Sequence, residues 1–392
     1  MSIELQGKSV LLTGGRAPVA LDLARKLSAC GWTVYVAESV PTHLCTYSRA
    51  VKASFFLPAP RISPKEYIQG LSKIIIAKEI DLLIPTCEEV FYIARYKEQL
   101  ISVRPGLSVF VDSFEKLKML HNKWEFIEYA RNLGKIVPRT WVSTSQDDMR
   151  CVKQQLPSHL ILKPVYSRFA SKIYEINNNN IPLPQINVSE NDPWVMQEYI
   201  DGKQYCSYSI CHDGIIYAHT VYTANFKAGK GACVCFEHTG HAGILHWVQE
   251  IVEKLKFTGQ IAFDFIETPE GDVYPLECNP RATSGIHLLS AQKLNHAISF
   301  LPTSIEQQES KPKMLGLAML LFGIGQCKCW SDFKNWIGVF RRSQDIVFSP
   351  ADPMPFFHQL LIVKTFYAIC RKNGTSILEA TTHDIEWNGE ML

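Results

Sequence analysis

The sequence predicts a parallel-sheet α/β lobe at the N-terminal end, followed by a larger, strand-rich α+β region. Three observations carry this. Strand and helix patterns alternate through about residues 1–110, the pattern turns strand-rich from Leu160 onward, and no internal repeat or long linker interrupts the chain. At 392 residues the chain is too long for one simple core and suits two or three packed units.

In the first lobe, Ser9 to Thr13 is a short apolar strand. Gly14 and Gly15 make a turn, and Pro18 suits the first turn of a helix whose apolar positions are Val19, Leu23, Ala24 and Leu27. Gly31 ends that helix, and Thr33 to Ala37 is the next strand. Ile74 to Ile76 belong to a helix leading into the strand Asp81 to Pro85. Strand–helix–strand order at this pitch implies parallel pairing. Residues 113–134 predict one helical stretch, with Phe114, Leu117, Leu120 and Phe126 on its apolar side. Pro138 argues for a break soon after. The strand-rich part then runs through LILKPVY, SKIYEI, WVMQEYI, QYCSYSI, IIYAHTVY, GQIAFDFIE and DVYPLECN, with a loop at the four asparagines 177–180. Near the end, a helix is expected from Phe357 to Ala368. The apolar run Met314 to Ile324, too short to span a bilayer, predicts a buried strand or core helix.

Hydrophobic residues make up 46% and charged residues 20%, an ordinary balance for a soluble globular chain. The net charge of +2 gives no footprint for a nucleic acid or an acidic membrane. The opening MSIELQGKSVLLTGG lacks a basic segment, apolar stretch and cleavage site, so no signal peptide is expected. The twelve cysteines are scattered, and the pairs Cys233/Cys235 and Cys327/Cys329 have strand spacing rather than metal-knuckle spacing. A reduced, cytoplasmic chain is the expectation.

A glycine turn after the first strand, with Glu38 ending the second, invites a dinucleotide reading. GGRAPVA, however, is not GxGxxG, and the full motif with its acid is what makes that reading specific. The expectation is a Rossmann-like lobe without a nucleotide of its own, Glu38 being solvated or at a lobe interface.

The most chemically loaded stretch is AFDFIETPEGDVYPLECNPR. Two strands flank the turn TPEGD. Glu277 and Asn279 are two apart and leave the same face, and a hairpin can bring Asp264 opposite them. Three hard oxygen donors on one sheet face suit Mg²⁺ carrying a polyphosphate, with Mn²⁺ as its substitute. Ala262, Phe263, Phe265 and Leu276 around them mark a packed sheet rather than a solvated one. Arg281 follows two residues later. Lys163 ends the apolar strand LILKP, and Lys123 opens a helix in HNKWEF. Each lysine alone is an ordinary surface residue, but a triphosphate needs cations as well as a metal. In WVMQEYIDG, the backbone C=O of Glu198 and N–H of Ile200 could meet an adenine edge.

In this order, Lys123, the LKP of Lys163, QEYIDG, FDF and ECNPR, the chain closely resembles the ATP-grasp superfamily over about residues 1–300. A Rossmann-like lobe ahead of the nucleotide lobes is similar to the arrangement in biotin carboxylase, the carbamoyl-phosphate synthetase large chain and amino-acid ligases. The openings TGGRAPVALDLAR and NPRATSGIHLL look like those of a bacterial branch. The resemblance implies two α+β lobes gripping ATP. It implies Mg²⁺ on Asp264, Glu277 and Asn279, phosphates on Lys123 and Lys163, and adenine on the backbones of Glu198 and Ile200. It implies Arg281, with Lys163, at the transferred phosphoryl group. The implied division is a Rossmann-like lobe at 1–112, an ATP-grasp domain at 113–305 with a mobile small lobe at about 140–203, and a remainder at 306–392 serving as a lid or a homodimer contact.

Two departures stand out. Relatives often have a glycine-rich loop over the phosphates, whereas this chain has KPVYSRFASKIYEI and no glycine between Gly134 and Gly202. The side chains of Ser167, Arg168, Ser171 and Lys172 are the candidates to replace it. Gln204 stands where relatives place an acid for the ribose hydroxyls. The segment NFKAGKGACVCFEHTGH, with Lys227, Lys230 and His238, is a candidate acceptor-side loop or an ordinary exposed one.

The expected activity is an ATP-dependent carboxylate–amine ligase with small-molecule substrates. Competing readings are a phosphotransferase on the same scaffold and a non-catalytic nucleotide-binding protein. A dehydrogenase is disfavoured: its YxxxK match, Tyr199 to Lys203, spans the turn IDG, where the two side chains cannot share a helix face.

Overall fold

A computed structural model describes residues 8–153, 157, 159–167, 172–177, 183–224, 226–228, 232–301, 311–390 and 392. The first lobe contains β1 (Ser9–Thr13), α1 (Pro18–Ala29), β2 (Thr33–Glu38), β3 (Ala53–Phe56), α2 (Pro64–Ala77) and β4 (Leu82–Ile84), then α3 (Val90–Arg95), α4 (Lys97–Ser102) and β5 (Ser108–Val109). Its five strands are all parallel, in the order β3-β2-β1-β4-β5. β1 is buried at every residue because helices cover both faces, so it reads as a continuous apolar run. Pro18 occupies the first turn of α1, where its missing N–H has no intrahelical partner to lose.

The single helical stretch expected over 113–134 is two helices, α5 (Phe114–His121) and α6 (Lys123–Asn132). Asn122 breaks them apart. Its backbone is extended, and its side chain accepts the N–H groups of Trp124 and Glu125. That cap makes Lys123 the first residue of α6.

A four-stranded antiparallel sheet follows, in the order β6-β9-β7-β8: β6 (Thr140–Ser143), β7 (Leu160–Pro164), β8 (Tyr174–Ile176) and β9 (Trp194–Glu198), with α7 (Gln146–Lys153) beside it. Its own small core includes Met149, Leu160, Leu162, Trp194 and Met196.

The largest sheet has seven strands, in the order β16-β15-β10-β11-β14-β17-β18. It comprises β10 (Lys203–His212), β11 (Ile215–Ala224), β14 (Cys235–His238), β15 (Gly259–Glu267), β16 (Val273–Asn279), β17 (Lys313–Met314) and β18 (Gln344–Asp345). A short hairpin, β12 (Lys227–Ala228) with β13 (Ala232–Cys233), lies beside it. One sheet face carries Tyr205, Phe263, Phe265 and Cys278, buried against Phe126 of α6 and Trp247 of α8 (Ala242–Leu255). The opposite face carries Cys206, Asp264, Glu277 and Asn279 and floors the candidate site. α9 (Ala291–Ile298) packs against α1 and β11.

Residues beyond 311 extend the large sheet through β17 and β18. They also form α10 (Gly316–Ala318), α11 (Trp330–Arg342), α12 (Met354–Phe357), α13 (Gln359–Asn373) and α14 (Ile377–Ala380). The helix expected near Phe357 to Ala368 is α13. The run Met314 to Ile324 is a core element only in its first half, where Met314 and Met319 are buried with Trp336 and Val339. It leaves β17 as an irregular helical turn, and Leu320, Leu321, Phe322 and Ile324 are exposed. Two glycines explain its path: a Cβ at Gly316 would sit 2.3 Å from the Asp345 carboxylate, and one at Gly323 would sit 2.7 Å from the Trp336 ring. The chain hugs those partners, keeps Met314 and Met319 inside and turns the apolar side chains from Leu320 on outward. Cys327 and Cys329 are likewise not strand neighbours, since Cys329 is the N-cap of α11. No helix among the described residues is long and apolar enough to cross a membrane.

Candidate functional site

The site forms where the four-stranded sheet and α6 meet the large sheet. The turn after β15 closes through Thr268 N–H donating to Asp272 O and Gly271 N–H donating to Thr268 O. It sets the register in which Glu267 faces Val273 and Phe265 faces Pro275. Just beyond, the register slips: Leu276 is an extra residue on β16, and the slip is what brings Glu277 opposite Asp264 and Asn279 opposite Ala262. A bulge frees the carbonyl of its extra residue from the ladder. Here the Leu276 carbonyl accepts a hydrogen bond from Lys163 Nζ at 3.2 Å. That bond joins the two sheets at the site.

Lys163 is buried and also donates to Gln197 Oε1 at 3.0 Å, while Gln197 Nε2 is anchored on Thr140 Oγ1. Burial, reinforced by the Lys123 charge, pushes Lys163 down to about 8 against the pull of Glu277 and Asp264. Lys123, also buried, donates to the Ser167 carbonyl at 3.2 Å and lies 3.6 Å from Glu277 Oε2.

The two carboxyl groups behave oppositely. Burial raises Asp264, and the Glu277 charge directly across the ladder raises it further. Burial would raise Glu277 too, but Lys123 and Lys163 hold it below the usual range. Two like charges in one desolvated spot disfavour each other unless a cation joins them. Asn279 adds an amide within 3.5 Å of Glu277 Oε1. This all-oxygen set fits a hard divalent cation. Cys206 sits directly opposite Asp264 on β10, and burial pushes its thiol well up, so it serves as an inert wall.

Arg281 reaches the same place from the end of β16. Its Nε donates to Glu88 Oε1 at 2.8 Å, and its other donors go to the Ala282 carbonyl and Asn279 Oδ1. Glu88 is buried and comes from the first lobe, at the carboxyl edge of the parallel sheet.

Six of the expected residues therefore form one constellation: Lys123, Lys163, Asp264, Glu277, Asn279 and Arg281. The others are placed less directly. Glu198 spends its carboxylate on Arg139, at 2.9 and 3.1 Å, which leaves only its backbone for a ligand. Ile200 is the second residue after β9. Gln204 lies on the site face, exposed, with its Oε1 in contact with Lys227 Nζ. His238 is half-buried on β14 opposite Tyr222. Arg168, Ser171 and Lys230 lie outside the described residues. Gln197 and Glu88 had not been anticipated. The signal for Glu88 was available, because ligand-facing residues collect at the carboxyl ends of parallel strands.

Glu38 is not a free acid at the glycine turn of the first lobe. Glu38 is buried and bound by Arg16 through Nε at 3.1 Å and through the backbone N–H at 2.9 Å. Arg16 also binds Asp384 at 2.6 and 2.8 Å, which seals the crevice with the C-terminal segment.

A parallel α/β lobe is thus followed by a four-stranded antiparallel sheet and a mostly antiparallel seven-stranded one, with Lys163 of the former facing Glu277 and Asp264 of the latter. Residues 120–285 match the ATP-grasp domain family, and this part of the chain is an ATP-grasp domain. The whole fold is similar to that of N5-carboxyaminoimidazole synthetase from Staphylococcus aureus: TM-score 0.62 and 14% identity over 82% of this chain and 86% of that one. It is similar to the L-amino acid ligase of Bacillus licheniformis, with TM-score 0.54 and 13% identity over 71% and 68% of the two chains. It is also similar to the biotin carboxylase domain of Hydrogenobacter thermophilus 2-oxoglutarate carboxylase, solved with MgADP and bicarbonate. There the TM-score is 0.59, with 10% identity over 77% and 73%.

Proposed function

We propose that this chain is an ATP-dependent ligase that activates a carboxylate as an acyl-phosphate and joins it to an amine. The observation that carries this reading is the buried cluster in which Asp264 and Glu277 face each other across the ladder with Lys123 and Lys163 beside them. The proposed division is a Rossmann-like lobe at 1–112, the ATP-grasp lobes at 113–305 and a remainder at 306–392.

In this reading Asp264, Glu277 and Asn279 hold magnesium, which screens the charge of the phosphates when bound. Lys123 and Lys163 offset the remaining charge. The backbones of Glu198 and Ile200 meet adenine, and Gln204 meets a ribose hydroxyl. A substrate carboxylate oxygen attacks the γ-phosphorus. The new P–O bond forms as the bond to the β–γ bridging oxygen breaks, and ADP leaves. The amine then attacks the activated carbonyl, phosphate leaves with the bonding pair, and the nitrogen loses its proton to solvent. Arg281, held by Glu88, lies where it can meet the phosphoryl oxygens. A carboxylate needs no base to attack phosphorus, and the constellation offers no dedicated base for a hydroxyl.

Supplying hydroxylamine in place of the amine, with ATP and a panel of carboxylates, should trap the acyl-phosphate as a hydroxamate. A stable phosphorylated product from a hydroxyl substrate, with no hydroxamate, would overturn the ligase reading and leave the nucleotide site standing.

A further inference from the structure

Lys123 is held at both ends by one short stretch of chain. Its backbone N–H donates to the Val165 carbonyl at 3.3 Å. Its ammonium donates to the Ser167 carbonyl at 3.2 Å and reaches the Val165 carbonyl at 3.5 Å. The residue between those carbonyls is Tyr166. A shift of Tyr166 moves both of them, because planar peptide units leave only two soft torsions per residue.

The ring of Tyr166 is clasped by the C-terminal tail. Its centroid lies 5.3 Å from that of Trp387, which is fully buried and also packs on Phe91 of α3 at 5.2 Å and Phe114 of α5 at 5.3 Å. Trp387 Nε1 donates to the Glu390 carbonyl at 2.7 Å, which curls the tail back. The curl lays Gly389, at φ +94°, flat on Tyr166, where a Cβ would come within 2.6 Å of the ring. The first lobe fastens the tail in turn: Tyr92 Oη donates to the Glu386 carbonyl at 2.9 Å, and Arg61 pairs with Glu386 and Glu390. At its far end, Tyr166 Oη accepts a hydrogen bond at 3.2 Å from Asn122 Nδ2. The Oδ1 of the same Asn122 takes the N–H groups of Trp124 and Glu125. One side chain therefore joins the clasped ring to the first turn of the helix that Lys123 opens.

We propose that Trp387 is a positioning residue for the phosphate end of the site, acting on Lys123 through Tyr166. The tail fixes the Tyr166 ring, the carbonyls on either side of Tyr166 fix both ends of Lys123, and the ammonium is kept 3.6 Å from Glu277 Oε2, where a polyphosphate would meet it. The inference rests on the reading of Lys123 as a phosphate ligand. It gives the C-terminal remainder a part in nucleotide binding. Where relatives have glycines after the strand of Lys163, this chain has a tyrosine locked from outside the nucleotide lobes.

The test is a double-mutant cycle on the full chain, read by calorimetry with Mg²⁺ and a non-hydrolysable ATP analogue. Trp387→Leu should weaken analogue binding about tenfold, the scale of a slightly displaced charged contact. Lys123→Met should weaken it at least as much. With Lys123→Met already in place, Trp387→Leu should cost less than about twofold more, because the group it acts on is gone. A mere prop for the fold would lower the melting temperature and cost the same factor in both backgrounds. Equal factors in the two backgrounds, or unchanged affinity in folded Trp387→Leu, overturn the inference. Gly389→Ala, which drives a methyl group against the Tyr166 ring, runs the same cycle if Trp387→Leu does not fold. Failure of the unaltered chain to bind the analogue removes the nucleotide site and this inference together, whereas binding with equal factors removes this inference alone.

Discussion

Two buried charge clusters lie at opposite sides of the lobe boundary and are built on different logic. At the crevice of the parallel sheet, Arg16 meets Glu38 and Asp384, and both carboxyls are held below their ordinary range because the guanidinium outweighs their burial. At the face of the large sheet, Asp264 is raised by its burial, and the like charge across the ladder adds to it. The first cluster satisfies itself. The second is satisfied only when something positive and polyanionic together enter it. Among buried charges, the direction in which a carboxyl is pushed separates a structural clasp from a binding site better than the mere presence of ionisable groups.

The sharpest way to break this comparison is to neutralise one acid in each cluster. Glu38→Gln leaves Arg16 half-paired in a desolvated crevice, and unfolding free energy should fall by about 3–5 kcal/mol. Asp264→Asn removes half of a repulsion, so its melting temperature should stay level or rise. A loss for Asp264→Asn as large as that for Glu38→Gln would erase the distinction. Next in size is Glu277→Gln. It keeps the shape and removes a charge that Lys123 and Lys163 both face, so ATP turnover should fall by about 10²–10³-fold with the fold intact. Near wild-type turnover in a folded variant would remove Glu277 from the proposed metal site.

Smaller effects sharpen the same line. Glu88 holds Arg281 from another lobe without entering the carboxylate pair. Glu88→Gln should lower kcat about tenfold and leave KM for ATP unchanged, and Glu88→Asp should recover part of the loss. A change in KM alone would make Glu88 a structural prop. The smallest effect is in pH. Lys163 is pushed down to about 8, and a bound polyphosphate would pull it back up. The lysine is charged below that value, so analogue affinity should be level at lower pH. It should decline as pH rises through about 8, because binding must then recruit a proton. Lys163→Arg should flatten the profile, and an unchanged profile in that variant would assign the titration elsewhere.

Much of this geometry is legible in the sequence. Strand alternation puts Glu277 and Asn279 on one face and the short turn TPEGD folds the Asp264 strand back beside them, and the alternation of β1, α1 and β2 is enough for a parallel lobe. What periodicity does not carry is long-range partnership. Arg16 and Asp384 are 368 residues apart, so nothing local marks Glu38 as already occupied. The bulge at Leu276 depends on how the two sheets meet, and the break at Asn122 on a cap that apolar spacing ignores. The second half of the run Met314 to Ile324 misleads for a related reason. Its glycines answer to Asp345 and Trp336, partners that a hydropathy pattern cannot name.

The strands β17 and β18 have a practical consequence for dissecting the molecule. Cys235 and Phe236 of β14 pair with Met314 and Lys313, and β18 then covers β17. Cutting the chain at 305 would strip those two strands and uncover the hydrogen-bonding rim of β14 beside the fully buried Phe236. An unpaired rim next to an apolar ring is a template for strand addition by another molecule. The nucleotide lobes expressed alone should therefore self-associate, and a light-scattering comparison of the truncated and full chains would register it as a shift in mass.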